Sequence, residues 1–147
     1  MLELEVVIAG CGLVLAVAVG LVAHEWTHAL VLALARVEYT ISYAPGRTGG
    51  VVAALASCPW AVVRPQPTGR EPPWIFRLAA LAPLLLAVPV LVGIDTGAVT
   101  RESPITTAIA IGWLACAIPS PQDFSVVFYA HSALESDRLE SVPVADD

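Results

Sequence analysis

Charge is scarce in this sequence, and positive charge is scarcest. Lysine and asparagine are absent, all seven basic residues are arginine, and thirteen acidic residues bring the net charge to −6. A nucleic-acid-binding protein needs a basic patch to meet the phosphates, so this balance argues against a nucleic-acid partner. Only 14% of the residues are charged and 57% are apolar, whereas soluble domains average about 25% charged and about 45–50% apolar residues. Long segments embedded in lipid are the usual cause of such a departure.

Three apolar segments are long enough to cross a bilayer, which takes about 20 residues in a helix. They cover residues 6–35, 75–94 and 104–130, and a proline-rich break at 119–123 interrupts the third. We therefore predict an all-α membrane protein with three transmembrane helices in contact with the lipid bilayer. One membrane-embedded domain would cover residues 1–131, and residues 132–147 would form an acidic, flexible tail. The sequence leaves the oligomeric state open.

The segment between the first two spans carries a different pattern. Residues 37–43 alternate in polarity and include β-branched and aromatic side chains, which is typical of a half-buried strand. We predict that residues 51–55 return as the second strand of a small β-hairpin. The apolar run 51–63 contains Pro59 and is too short to span, which favours a re-entrant or interfacial segment. Residues 64–73 hold four prolines and are predicted to be a solvated loop.

The arginines are distributed unevenly along the chain. One falls between the second and third spans, and five fall between the end of the first span and the first turn of the second, namely Arg36, Arg47, Arg64, Arg70 and Arg77. The positive-inside rule places the loop that is rich in arginine in the cytoplasm. We therefore predict a multi-pass protein of the cell membrane with its N-terminus outside and its C-terminus in the cytoplasm.

An HExxH motif occupies residues 24–28, inside the first apolar segment. On a helix His24 and His28 face the same point, and neutral imidazole is a good ligand for Zn²⁺. Glu25 between them can reach a metal-bound water as a general base. A charge in the middle of a membrane helix costs roughly 2.5–3.5 kcal/mol, and a bound dication would compensate for it. The alternative is an ordinary polar helix end at the membrane surface.

A catalytic zinc site needs a third protein ligand and an open position for water. The candidates outside the motif are Asp123, His131, Asp95, Cys58 and Glu38. His24 lies about 27 Å along its span and Asp123 lies at a similar depth along the third, whereas Asp95 falls on the opposite side. Asp123 also fits a helix cap, because residues 120–123 read as a helix start, and the two roles are compatible. We predict that Asp123 is the third ligand and that His131 is a solvated residue.

These motifs together resemble the site-2 protease family. The resemblance rests on HExxH in a first membrane helix, on Gly49-Gly50 after it, and on Pro-x-Pro-x-Asp at residues 119–123. It implies an intramembrane zinc metalloprotease with a three-helix core and Asp123 as a zinc ligand, and small zincin-like membrane peptidases share the same elements. The sequence departs from the family pattern because no asparagine precedes Pro119 and Phe124 replaces a glycine. The resemblance also gives the strand at 37–43 a possible role, since an exposed strand edge can hold an extended substrate.

The function that we predict from these residues is a zinc-dependent endopeptidase acting on a membrane protein or peptide in or near the bilayer. His24, His28 and Asp123 would bind Zn²⁺, while Glu25 deprotonates the attacking water and then protonates the leaving amine. Because no lysine is present, the oxyanion would be stabilised by zinc, helped by Ser120, Gln122 or a backbone N–H. The alternatives are a membrane protein that binds zinc without proteolysis, and a structural subunit in which the HExxH pattern is coincidental.

Overall fold

The first apolar segment forms one long helix. The computed structural model describes residues 2–43, 61–68 and 70–140, and helix α1 covers Leu2–Leu34, 33 residues. At 1.5 Å per residue α1 is about 50 Å long, well beyond the roughly 30 Å of a hydrocarbon core. The helix ends in a Schellman motif, in which Val37 N donates to Leu32 O at 2.9 Å and Arg36 N donates to Ala33 O at 3.1 Å.

The second apolar segment is helical throughout but changes its winding in the middle. Helix α2 (Pro73–Leu81) leads into a 3-10 segment (Ala82–Leu86), which leads into helix α3 (Ala87–Asp95). The 3-10 segment contains Pro83, which has no N–H to donate and whose ring clashes with the carbonyl four residues earlier in an α-helix. A tighter winding with bonds three residues apart accommodates the proline.

The third apolar segment folds as two helices, α4 (Pro104–Ala117) and α5 (Pro121–Glu140). Ile118 is extended, with φ −78° and ψ 123°, because the ring of Pro119 disfavours a helical conformation in the residue before it. The predicted break at 119–123 is therefore confirmed. Helix α5 continues through residues 132–140 of the predicted tail, and residues 141–147 lie outside the described part of the chain.

In the part of the chain that the structure describes, three helical units are long and apolar enough to cross a membrane, namely Glu3–Leu34, Pro73–Asp95 and Pro104–Ser132. The three predicted spans are thus confirmed in length and composition. Many large apolar side chains on these units point outward, among them Val14 at 68% exposure and Leu91 at 59%. Such surfaces suit lipid contact.

A small two-stranded sheet follows α1. Strands β1 (Tyr39–Tyr43) and β2 (Ala61–Pro65) pair antiparallel, with Ile41 opposite Val63. The predicted strand at 37–43 is present and two residues shorter. Its partner is β2, so the loop predicted from residue 64 begins after Pro65, and residues 61–63 of the predicted re-entrant run belong to a strand. The predicted strand at 51–55, Gly49-Gly50 and the rest of that run lie outside the described residues.

Two packing regions bring the HExxH motif toward the other helices. Along α1 and α4, small residues permit close approach, since a Cβ on Gly20 would lie 2.8 Å from Cys116 Sγ. Beyond the motif, a buried apolar cluster joins α1, α2 and α5, and it consists of Leu32, Val37, Ile75, Phe76, Ala79 and Ala130. Residues 24–28 therefore lie where α2, α4 and the start of α5 meet.

Candidate metal centre

Two imidazoles and one carboxylate converge between α1 and the start of α5. His24 Nε2 lies 3.4 Å from Asp123 Oδ2, and His28 Nε2 lies 3.3 Å from Asp123 Oδ1. Both histidines are buried, each at 8% exposure. Within the described ranges, these three residues form the one group of three or more His, Cys, Asp or Glu side chains that could hold a metal ion. The structure thus brings together the three residues that were predicted from the sequence to be metal ligands.

Backbone carbonyls fix the orientation of both imidazoles. His24 Nδ1 lies 2.7 Å from the Cys116 carbonyl oxygen, and His28 Nδ1 lies 2.8 Å from that of Ala79. A carbonyl can only accept, so each Nδ1 carries the proton and donates it. In a neutral imidazole this leaves Nε2 with its lone pair directed at Asp123. Metal-binding histidines are commonly held in this way, with the second ring nitrogen donating to a carbonyl or carboxylate.

The distances from Asp123 to the two imidazoles match those between neighbouring ligands of a tetrahedral zinc ion. Zinc bonds of about 2.0–2.1 Å to nitrogen and about 2.0–2.2 Å to oxygen set neighbouring ligand atoms roughly 3.3–3.4 Å apart, which is the spacing between Asp123 and each Nε2. Two lone pairs that face a carboxylate repel it unless a positive charge lies among them. A bound cation supplies that charge, and so does protonation of the imidazoles, which would convert the contacts into ion pairs. Two histidines and one carboxylate also form a known catalytic zinc set with an open fourth position.

Asp123 is also the cap of helix α5. Ser120 N donates to Asp123 Oδ2 at 2.6 Å, and Asp123 N donates to Ser120 Oγ at 3.2 Å. This reciprocal pair is a capping box, and it satisfies N–H groups at the helix start that have no partner within the helix. The predicted capping role is confirmed, and it holds the carboxylate in place beside both histidines.

Glu25 contacts the sheet. Its Oε2 accepts a hydrogen bond from Val63 N at 3.0 Å. Gln66 N donates to Glu38 O, so by the alternation of an antiparallel pair the backbone N–H and C=O of Val63 point away from β1. The edge of β2 that faces away from β1 is therefore the edge that meets the HExxH helix. The resemblance gave the strand at 37–43 a possible role at the site, whereas the strand whose backbone donates to Glu25 is β2.

A cavity of about 190 Å³ opens beside the cluster. Glu25, His28 and Asp123 contribute polar groups to its lining, and Leu32, Phe76 and Val126 contribute apolar side chains. Ser120 and Gln122, nominated as helpers of an oxyanion, line the same cavity. The space thus combines a group that can act as a base with an apolar surface.

The other nominated ligands lie apart from the cluster. Glu38 lies exposed between α1 and β1, Asp95 lies exposed at the end of α3, and His131 lies exposed two turns beyond Asp123 on α5. Cys58 is outside the described residues. Sequence reasoning missed the carbonyls of Ala79 and Cys116, because a backbone oxygen has no signature of its own in the sequence.

Three comparisons with known proteins found no match. No family model, no curated protein and no solved structure matches the chain. The resemblance to the site-2 protease family accordingly rests on the motif residues and stays a prediction.

Proposed function

We propose that this chain is a zinc-dependent endopeptidase that hydrolyses a peptide bond in or near a membrane. The observation that carries the proposal is the convergence of two imidazoles and one carboxylate, with each Nε2 within 3.4 Å of an Asp123 oxygen and Glu25 beside them. A purely structural zinc site is closed by four protein ligands, whereas a catalytic site keeps one position open. Among the described residues the cluster has three candidate ligands beside a cavity, which favours catalysis.

Each polar residue of the site has a chemical task in this reaction. His24, His28 and Asp123 would hold the ion, which when bound supplies the Lewis acidity that polarises the scissile carbonyl and acidifies a water. Glu25 takes a proton from the water while the water oxygen attacks the carbonyl carbon. When the C–N bond breaks, Glu25 returns that proton to the leaving amine, so the carboxylate is restored. Val63 N–H keeps the Glu25 carboxylate at the edge of the cavity.

The apolar walls of the cavity and the apolar spans both favour a membrane peptide or protein as substrate. Leu32, Phe76 and Val126 surround a space large enough for one apolar side chain. Helices of this length and composition favour a multi-pass protein. The excess of arginine between the first two spans favours a cytoplasmic position for that end of the molecule and for the site near it.

A second candidate function is zinc binding without proteolysis. The hydrogen bond from Val63 to Glu25 favours it, because that bond engages the carboxylate which would otherwise act as the base. In this alternative Glu25 links α1 to β2 and takes no part in proton transfer.

Metal analysis and proteolysis of one set of variants separate the two functions. Wild-type protein should bind one zinc per chain, and His24→Ala should lose it. Glu25→Gln should keep its zinc and lose cleavage of apolar membrane peptides, because the amide cannot take up the proton. Glu38→Gln is the matched control, since Glu38 is an exposed carboxylate outside the cluster, and it should retain both properties.

Absence of zinc from the wild type would overturn the metal site. Zinc binding with no cleavage of any membrane peptide tested would support the second function, and undiminished cleavage by Glu25→Gln would remove Glu25 from the reaction.

A further inference from the structure

The carbonyl that holds His28 belongs to a residue four positions before a proline. In a regular α-helix the Ala79 carbonyl would accept from the N–H of residue 83, and residue 83 is a proline that is fully buried. Ala79 O accepts instead from Ala82 N, three residues on. The second lone pair of this oxygen is directed at His28, whose Nδ1 lies 2.8 Å away.

The carbonyl that holds His24 also lies shortly before a proline. The Cys116 oxygen would accept from residue 120 in an α-helix or from residue 119 in a 3-10 helix. Pro119 has no N–H, and Ser120 N donates to Asp123 Oδ2 at 2.6 Å. Helix α4 ends at Ala117, and the Cys116 oxygen lies 2.7 Å from His24 Nδ1.

We infer that Pro83 and Pro119 are positioning residues for the metal centre, because each releases from a membrane helix the backbone carbonyl that orients one imidazole. The inference rests on the proposed zinc site for its consequence in binding, although the geometry of the carbonyls does not depend on a metal. Pro89 offers an internal contrast. It lies in the same span as Pro83 but is exposed on α3, and the carbonyl four residues before it belongs to the exposed Leu85.

Replacing Pro83 with alanine creates a new N–H donor beside the Ala79 carbonyl. The new N–H competes with His28 for the Ala79 oxygen, and the 3-10 segment can relax toward an α-helix, which turns that carbonyl along the helix axis. His28 then loses the bond that directs Nε2 toward Asp123. Loss of such an outer partner of a metal ligand lowers metal affinity roughly 10–100-fold.

The test combines zinc affinity with a double-mutant cycle on the metal-free protein. Zinc affinity, measured by competition with a chelator, should fall about 10–100-fold in Pro83→Ala and stay near the wild-type value in Pro89→Ala. In the cycle, thermal unfolding is compared for Pro83→Ala in the native and the His28→Ala backgrounds. Pro83→Ala should lower Tm less when His28 is absent, because the new N–H then satisfies the Ala79 carbonyl without displacing an imidazole. Pro119→Ala with His24→Ala forms the equivalent cycle on α4.

The outcomes separate this inference from the proposed function. A wild type that binds no zinc removes the proposed function, while the cycle still reports on the prolines. Equal shifts in Tm in the two backgrounds would mean that Pro83 serves only helix packing, and the inference would fail. Equal losses of zinc affinity in Pro83→Ala and Pro89→Ala would overturn it as well.

Discussion

Asp123 caps helix α5 and also faces both histidines of the candidate metal centre. Its Oδ2 accepts from Ser120 N and also lies 3.4 Å from His24 Nε2, while Oδ1 faces His28. A carboxylate has about four lone-pair positions, which is enough for both tasks. Because the cap fixes the side chain before any metal arrives, little rotamer entropy is left to lose on binding.

Substitutions at the start of α5 should separate the capping task from the ligand task. Ser120→Ala removes the hydroxyl that accepts from Asp123 N and should lower the free energy of unfolding by about 1 kcal/mol, with zinc retained. Asp123→Ala should lose both the cap and the zinc. The checks are chemical denaturation and metal analysis. His131→Ala is the control on the same helix and should leave zinc content intact; if it removed the metal and Asp123→Ala kept it, the ligand set would be wrong.

The convergence of His24, His28 and Asp123 was predictable from sequence, and the atoms that orient the two imidazoles were not. His24 and His28 lie one turn apart in any helix, and Asp123 could be chosen by comparing depths along two spans. Ala79 and Cys116 act through their backbone, so their side chains give no clue to the role. The only local trace in the sequence is the proline that follows each of them at helical spacing.

Helices α1 and α4 must approach closely for the Cys116 carbonyl to reach His24. Gly20 permits this, because a Cβ at that position would lie within 2.9 Å of both Cys116 Cβ and Sγ. Small residues at the contact between membrane helices have this general effect. The spacing between the two helices therefore helps to set the orientation of the His24 imidazole.

Gly20→Ala should push α4 away from α1. We expect a loss of roughly 1–3 kcal/mol in unfolding free energy from overpacking, together with weaker zinc binding as the Cys116 carbonyl moves away from His24. Gly10→Ala is the matched control, since a Cβ there meets nothing within 4 Å, and it should be neutral or slightly stabilising. Thermal unfolding and chelator competition measure the two effects. Unchanged zinc affinity in a destabilised Gly20→Ala protein would show that helix spacing and ligand orientation are independent.

The sheet marks the limit of what local sequence patterns could predict. Strand β1 has clear alternation, and it was predicted to within two residues. Strand β2 begins within the end of the apolar run 51–63 and finishes in Arg64-Pro65, so it carries no period-two signal. It is defined by pairing with β1 and by the bond from Val63 to Glu25, and partners this distant in sequence leave no local pattern.

Across the whole molecule, the surface of the three candidate spans is apolar and the polar groups are gathered at the site and at the ends. Ile111 is 58% exposed and Leu85 is 61% exposed on the outer faces of their helices. Contact of such apolar side chains with water costs free energy, whereas contact with lipid does not. The connection between the first and second spans also carries more arginine than the connection between the second and third spans.

Cysteine labelling should determine the orientation. In a background whose native cysteines are replaced by serine, Gln66→Cys and Ala98→Cys place single exposed thiols on the connections at opposite ends of the second span. By the positive-inside rule an impermeant thiol reagent applied to intact cells should label Ala98→Cys and spare Gln66→Cys. Both should react after the cells are lysed. The reverse pattern would place the metal centre in the outer half of the membrane.

At the end of α1, backbone conformation and electric charge favour different residues. Arg36 adopts φ 59°, the left-handed conformation that costs a side-chain-bearing residue roughly 1–2 kcal/mol and that glycine adopts freely. Glycine would suit the helix end better, yet it would remove one of the arginines that favour a cytoplasmic position for this end of the helix. In Arg36→Gly, the free energy of unfolding in detergent should therefore rise. The fraction of molecules that insert into the membrane of cells with the predicted orientation should fall. At this one residue, the most stable fold and the most reliable direction of entry into the membrane require different amino acids.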